Sequence, residues 1–371
     1  MTAKRLVIGI YIGVFNNMKK KILISGNEVM GEAAIRAGCK FYAGYPITPQ
    51  NELIAYMASE LPKRGGIFIQ SESELAAISM VYGASACGVR AMTSSSSPGI
   101  SLKQEGISYI SGAQLPAVAI NVMRAGPGLG NIWPAQSDYF QATKGGGHGD
   151  YHMIVLAPWS VQESYDLTKL AFELADRYRI MAMILSDGIL GQMMEPLEFD
   201  DEEAPPGPIE KPWALTGAKN RKPNIVQSLY FKYGDVEKHN LLLQKKYRRI
   251  MAKEQRFEGS YLEDARAVVV AYGSMARIAQ SAVANLRRQG KRVGLFRPVS
   301  LWPFPAKELA RLSKTIKKFL AVEMSYGQMV EDVRLSVNKG ARVDFYGRSG
   351  GGVPTQKQLE REILKTLQAE S

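Results

Sequence analysis

Between Ile22 and about Asp187, short apolar runs alternate with amphipathic segments, which predicts a parallel sheet covered by helices. The runs that read as strands are Ile22–Ser25, Phe41–Tyr45, Ile67–Gln70, Val89–Thr93, Ala117–Met123, Met153–Leu156 and Met181–Leu185. Helices are expected between them. Asn27 stands where a cap would start a helix that Gly38 ends, and Thr48-Pro49 pairs an N-cap with proline at the first helical position. Residues 73–88 and 161–178 supply two longer helices.

The alternation breaks at Asp200-Asp-Glu-Glu-Ala-Pro-Pro-Gly-Pro208, and residues 201–264 read as a charged linker or insertion with a solvated helix around Lys245–Arg249. It resumes with Ala267–Ala271, Val293–Phe296, Phe319–Val322 and Val343–Tyr346, which predicts a second, smaller α/β domain over 265–371. At the other end, Arg5–Phe15 is apolar but shorter than the ~20 residues that cross a bilayer. Residues 1–17 therefore read as an N-terminal stub, and 18–200 as the first domain.

Composition narrows the class. A chain of 371 residues accommodates two domains with their own cores, and 46% hydrophobic with 22% charged residues excludes a membrane protein. Two cysteines, Cys39 and Cys87, are too few to hold an iron–sulfur cluster or a Cys-rich zinc site, and free thiols point to a reducing, cytoplasmic location. The net charge of +12 favours anionic partners, whether nucleic acid, acidic protein or phosphorylated ligand, without choosing among them.

In open α/β sheets, ligands collect beyond the carboxyl ends of the strands, where this chain carries four polar features. In Tyr45-Pro-Ile-Thr-Pro49, Thr48 either caps its helix or meets an anion there. In Ser71-Glu-Ser-Glu74, Glu72 or Glu74 is a carboxylate favoured by the dipole of a charge-poor helix, or a desolvated carboxyl that hydrogen-bonds a heterocyclic nitrogen. Thr93-Ser-Ser-Ser-Ser-Pro-Gly99 is a row of hydroxyls, without the Gly-x-Ser-x-Gly elbow of hydrolases. Arg124 leads a glycine-rich loop whose spacing is wrong for a dinucleotide, and its fork suits a carboxylate or a structural ion pair. His148 and His152 lack a third ligand, so no metal site is expected.

Taken together, these strings resemble the thiamine-diphosphate-dependent 2-oxoacid:ferredoxin oxidoreductases, specifically the alpha-type subunit with the pyrimidine-binding domain. The resemblance is dense from Ile22 to about Pro196. It is carried by Gly26-Asn-Glu, Ala33-Ala-Ile-Arg-Ala-Gly-Cys39, Tyr45-Pro-Ile-Thr-Pro49, Met92-Thr-Ser-Ser-Ser-Ser-Pro-Gly99 and Gln136-Ser-Asp-Tyr-Phe-Gln-Ala-Thr-Lys-Gly-Gly-Gly-His-Gly-Asp150. Phe296–Pro305 and Val322–Val330 are similar to the transketolase-C-terminal-like domain of the family. Arg124-Ala-Gly-Pro-Gly-Leu-Gly-Asn131 looks most like the branch acting on branched-chain 2-oxo acids such as 3-methyl-2-oxobutanoate, rather than the 2-oxoglutarate branch.

The resemblance implies oxidative decarboxylation of the 2-oxo acid with coenzyme A, the electrons passing to ferredoxin. It makes Glu74 the catalytic glutamate on the aminopyrimidine ring, favouring the imino tautomer so that the exocyclic nitrogen takes the thiazolium proton. Thr48 and Arg124 would hold the substrate carboxylate, and Tyr45, Pro46, Ser95 and Ser96 would line the cofactor site. The chain contains no Gly-Asp-Gly. The family pattern then assigns the magnesium and diphosphate half of the site to a thiamine-binding beta subunit. A gamma subunit, a ferredoxin-like iron–sulfur subunit and external ferredoxin complete the expected partners, with no nucleic acid and no membrane. A basic, non-catalytic scaffold or nucleic-acid-binding protein is the alternative from another class.

Overall fold

A computed structural model describes residues 20–199, 207 and 209–369. The expected stub, and the start of the 201–264 insertion, lie outside the described residues. The first part of the chain runs β1 (Lys20–Ser25), α1 (Gly26–Arg36), β2 (Phe41–Gly44), α2 (Asn51–Lys63), β3 (Ile67–Gln70), α3 (Glu74–Ala86), β4 (Ala91–Ser95), α4 (Ser97–Gly112), β5 (Ala117–Met123), α5 (Tyr139–Thr143), β6 (Ile154–Leu156), α6 (Val161–Tyr178), β7 (Met181–Asp187), α7 (Gly188–Gln192) and β8 (Met194–Phe199). The second part runs α8 (Asp235–Lys253), β9 (Phe257–Ser260), β10 (Ala267–Val270), α9 (Gly273–Arg288), β11 (Val293–Pro298), β12 (Ser300–Trp302), α10 (Ala306–Leu312), β13 (Lys318–Glu323), α11 (Met329–Ser336), β14 (Arg342–Gly347) and α12 (Gln356–Gln368).

The first sheet has seven strands in the order β12-β6-β7-β5-β4-β2-β3, and the second has five in the order β14-β13-β10-β11-β9. Strands β5 and β7 are buried along their whole length, because helices cover both faces of a parallel sheet and leave no face for polar alternation. The pattern in the sequence thus corresponds to an α/β chain with two parallel-sheet layers, as expected.

Local readings needed correction. Ile22–Ser25 does not join the main sheet. It pairs antiparallel with β8, Ile22 opposite Leu197, in a separate two-stranded ribbon. A short apolar run carries no periodicity that separates a central strand from a peripheral one. Asn27 does not cap α1. Ser25 does, in a capping box with Glu28, while the fully buried Asn27 donates to the Pro49 carbonyl (2.8 Å) and to Glu52 (2.7 Å). Thr48 is not a cap either, since α2 opens at Asn51 with Gln50 before it.

The 201–264 segment is more integrated than a linker. Leu243, Tyr247 and Ile250 bury one face of α8, and Lys246 donates to the Arg179 carbonyl (2.8 Å), so the basic cluster there is not wholly solvated. Strand β9 then forms the antiparallel edge of the second sheet against β11, and β12 crosses over to pair with β6 of the first. Side chains join the two layers as well. Gln136 donates to the Tyr272 carbonyl (2.9 Å) and accepts from the Met324 amide (3.0 Å), and Ser274 donates to Asp187 at 2.7 Å.

Candidate functional site

The expected site residues stand at the carboxyl ends of β2, β3, β4 and β5. Glu74 is the first residue of α3, whose Ser73 cap accepts from the Ala76 amide at 3.2 Å. Helix α3 packs against β2, β4 and α4, so this carboxylate is 6% exposed and sits at the positive end of a helix dipole. The approach of α4 depends on Gly99. A Cβ there would lie 2.1 Å from Ser95 Oγ and 2.5 Å from Glu74 Oε1, so only glycine lets the carboxylate and the hydroxyl share this corner.

The four serines that run from the end of β4 into α4 have different fates. Ser94 is used by the fold: it donates to Gln50 Oε1 at 2.6 Å and accepts from the Tyr42 hydroxyl at 2.6 Å. Ser97 donates to the half-buried carboxylate of Asp138 at 2.5 Å. Ser95 and Ser96 are fully buried, yet neither hydroxyl has a hydrogen-bond partner. Buried polar atoms left without partners are expensive, and the Ser95 hydroxyl lies at the corner that Gly99 opens beside the buried Glu74 carboxyl, a place that could take a polar ligand.

Arg124 follows β5 and is 7% exposed. The ion-pair alternative fails, because its guanidinium donates to two main-chain carbonyls, Thr48 at 3.0 Å and Leu129 at 3.1 Å, and its Nε is buried without a partner. Gly130 (φ +60°) closes the loop beneath it, since a Cβ there would meet the Ala125 carbonyl oxygen at 1.8 Å. Thr48 is thereby tied to Arg124 through its main-chain oxygen. Tyr45 and Pro46 lie exposed on the loop after β2, which Ser71 binds to the β3 loop by donating to the Gly44 carbonyl at 3.1 Å. They share this edge of the sheet with Glu74.

Asp138 was not singled out from the sequence. Burial pushes its carboxyl above the ordinary range, against the hydrogen bonds from Ser97 and Asn121 (2.9 Å) that favour the charged form. Its only signal was its place in the Gln136-Ser-Asp138 string. A cleft of about 540 Å³ opens beside Thr48 and Pro49, walled by Glu52, Trp133, Ile189 and Val353. His148 and His152 are spent on aromatic contacts with Tyr109 and Trp302. Among the described residues, no helix is long and apolar enough to cross a membrane.

Fold and site together define a two-layer α/β chain of the thiamine-diphosphate-binding kind. A split-gene transketolase shares the fold at a TM-score of 0.58 and 13% identity. The chain belongs to the pyruvate flavodoxin/ferredoxin oxidoreductase family: its thiamine-diphosphate-binding domain matches residues 32–258, and the pyruvate:ferredoxin oxidoreductase core domain II matches residues 265–359. The chain is 50% identical to ketoisovalerate oxidoreductase subunit VorB of Methanothermobacter thermautotrophicus, over 92% of this chain and 96% of that one. It is 37% identical to 2-oxoglutarate synthase subunit KorA of Methanocaldococcus jannaschii, over 92% and 98%. Among solved structures, the 2-oxoglutarate:ferredoxin oxidoreductase from Magnetococcus marinus superposes at a TM-score of 0.85 with 28% identity. The match covers 94% of this chain but 66% of the solved one, so the present chain spans just under two thirds of that longer polypeptide.

Proposed function

We propose that this chain is the pyrimidine-binding subunit of a cytoplasmic 2-oxoacid:ferredoxin oxidoreductase that converts 3-methyl-2-oxobutanoate and coenzyme A to the acyl-CoA and carbon dioxide. The observation that supports the substrate reading is the 50% and 48% identity to two ketoisovalerate oxidoreductase subunits, against 40% or less to the 2-oxoglutarate synthase subunits.

The residues present fit thiamine diphosphate. Ser95 and Ser96 offer unpartnered buried hydroxyls, and the corner that Gly99 leaves open brings the Glu74 carboxyl to the same place. The chemistry the cofactor supplies is a nucleophilic carbon and a sink for the electrons released on decarboxylation. Glu74 would hold or release a proton at its carboxyl facing the pyrimidine ring nitrogen, at a buried position where water does not compete. Arg124 fixes the substrate carboxylate with donor capacity its two carbonyl contacts leave unused, and Thr48 adds its hydroxyl from the same corner. Asp138, through Ser97, steadies the strand end from which Arg124 projects.

A beta subunit carrying Gly-Asp-Gly would supply the magnesium and diphosphate half of the site. A gamma subunit, a ferredoxin-like subunit and external ferredoxin would complete the electron path. Ferredoxin reduction by the assembled complex tests the reading. A higher kcat/KM for 3-methyl-2-oxobutanoate than for 2-oxoglutarate supports it, and the reverse order transfers the chain to the 2-oxoglutarate branch. Full activity of the partner subunits without this chain would remove it from catalysis and favour the basic scaffold.

A further inference from the structure

Lys103 lies on α4 one turn beyond Gly99 and is fully buried. An ammonium withdrawn from water is costly unless something nearby repays the lost hydration. Among the described residues the one hydrogen bond of its ammonium goes to the main-chain oxygen of Glu74, at 3.4 Å. Glu74 is also the one charged group that bears on it. Burial pulls the lysine down to about 8, and the attraction of Glu74 works against that fall. The other groups at this corner are neutral: Ser95 from β4, Gly99 from α4, and Ile78 of α3, which packs where α4 carries Gly106.

Near neutral pH the ammonium therefore keeps its proton, and among the described residues its counter-charge is the carboxylate assigned to the pyrimidine ring. Nothing in the packing requires a cation here, since Leu or Met would fill the same buried volume without the desolvation cost. We propose that Lys103 is a positioning residue for Glu74, its charged side chain pinning the first turn of α3 so that the glutamate meets the cofactor in a fixed place. This rests on the role given to Glu74 under the proposed function.

The test uses the assembled complex freed of cofactor. Affinity for thiamine diphosphate is measured by calorimetry, and turnover by ferredoxin reduction, both between pH 6 and 9.5. In the wild type, affinity and kcat are expected to fall together on an alkaline limb centred near the lysine's own titration. Lys103→Arg, which does not titrate in this range, should keep near-wild-type affinity at pH 7 and lose the limb below pH 9.5. Lys103→Met should bind the cofactor roughly tenfold more weakly at pH 7 and show no such limb. In a Glu74→Gln background, Lys103→Met should add little further loss of affinity, because the two act as one unit. An unmoved limb in Lys103→Arg, or wild-type affinity in Lys103→Met, overturns the proposal. If Lys103→Met fails to assemble, Lys103→Arg alone still decides through its limb. Normal turnover of Glu74→Gln would overturn the underlying role of Glu74 instead, which keeps the two failures apart.

Discussion

Arg124 donates to the main-chain oxygen of Thr48 at 3.0 Å across a sequence separation of 76 residues, and so locks together the loops that follow β5 and β2. The contact joins two residues for which local sequence left a structural ion pair or a helix cap open beside a role in anion binding. The structure removes both bland roles: among the described residues Arg124 has no acidic partner, and α2 starts beyond Thr48.

Replacing Arg124 by alanine removes both the charge and the tie between the loops. Each charge-assisted hydrogen bond to a carboxylate is worth about 1.5–3 kcal/mol, so kcat/KM should fall roughly 10- to 100-fold, chiefly through KM. Steady-state kinetics of the assembled complex measures this, and an unchanged KM would refute carboxylate recognition by this residue.

Glu74→Gln preserves shape and removes the exchangeable proton. Turnover should drop by a factor on the order of 100 to 10,000 while the thermal melting temperature stays close to that of the wild type. Parallel melting and ferredoxin-reduction assays separate this outcome from simple misfolding.

Gly99→Ala places a methyl group 2.1 Å from Ser95 Oγ and 2.5 Å from Glu74 Oε1. Something must give, and the flexible groups are the two that the cofactor needs. Affinity for thiamine diphosphate should weaken far more than stability, as calorimetry with the reconstituted complex would record. Equal affinity would mean that this corner is not part of the cofactor site.

Gln136→Ala strips the clamp between the two layers, leaving the Tyr272 carbonyl and the Met324 amide without their partner. Buried groups abandoned in this way cost about 1–3 kcal/mol each. Denaturant unfolding should register a loss of about 2–4 kcal/mol, with the family-defining residues of the site untouched.

Burial raises the Asp187 carboxyl above its ordinary value of 3.8, in spite of hydrogen bonds from Ser274, Ile189 and Leu190. With the folded value above the unfolded one, the contribution of Asp187 to stability is fully present below pH 3.8 and is lost as pH rises through the folded value. Asp187→Asn does not ionise. Its melting temperature relative to the wild type should therefore rise between pH 4 and pH 7, and a constant difference would contradict the burial effect.

What the sequence by itself determined is the class of the molecule. Alternation of apolar runs and amphipathic segments specified the parallel strands, because β5 and β7 must be apolar throughout once helices cover both faces. The strings around Thr48, Glu74, the serine row and Arg124 were legible for the same reason: loops at the carboxyl ends of strands have little packing duty, so polar residues there stand out. What only the tertiary structure decided is which of those residues act together. Ser94 and Ser95 are neighbours of one residue type, yet the first is consumed by Tyr42 and Gln50 while the second stays unpartnered, a distinction made by side chains 44 and 52 positions away. The pairing of β1 with β8 in a separate ribbon and the exchange of β12 into the first sheet depend likewise on partners remote in sequence. Lys103 is the sharpest instance. In the sequence it is one lysine of a basic chain, and only the packing of α4 on α3 turns it into a buried charge beside Glu74.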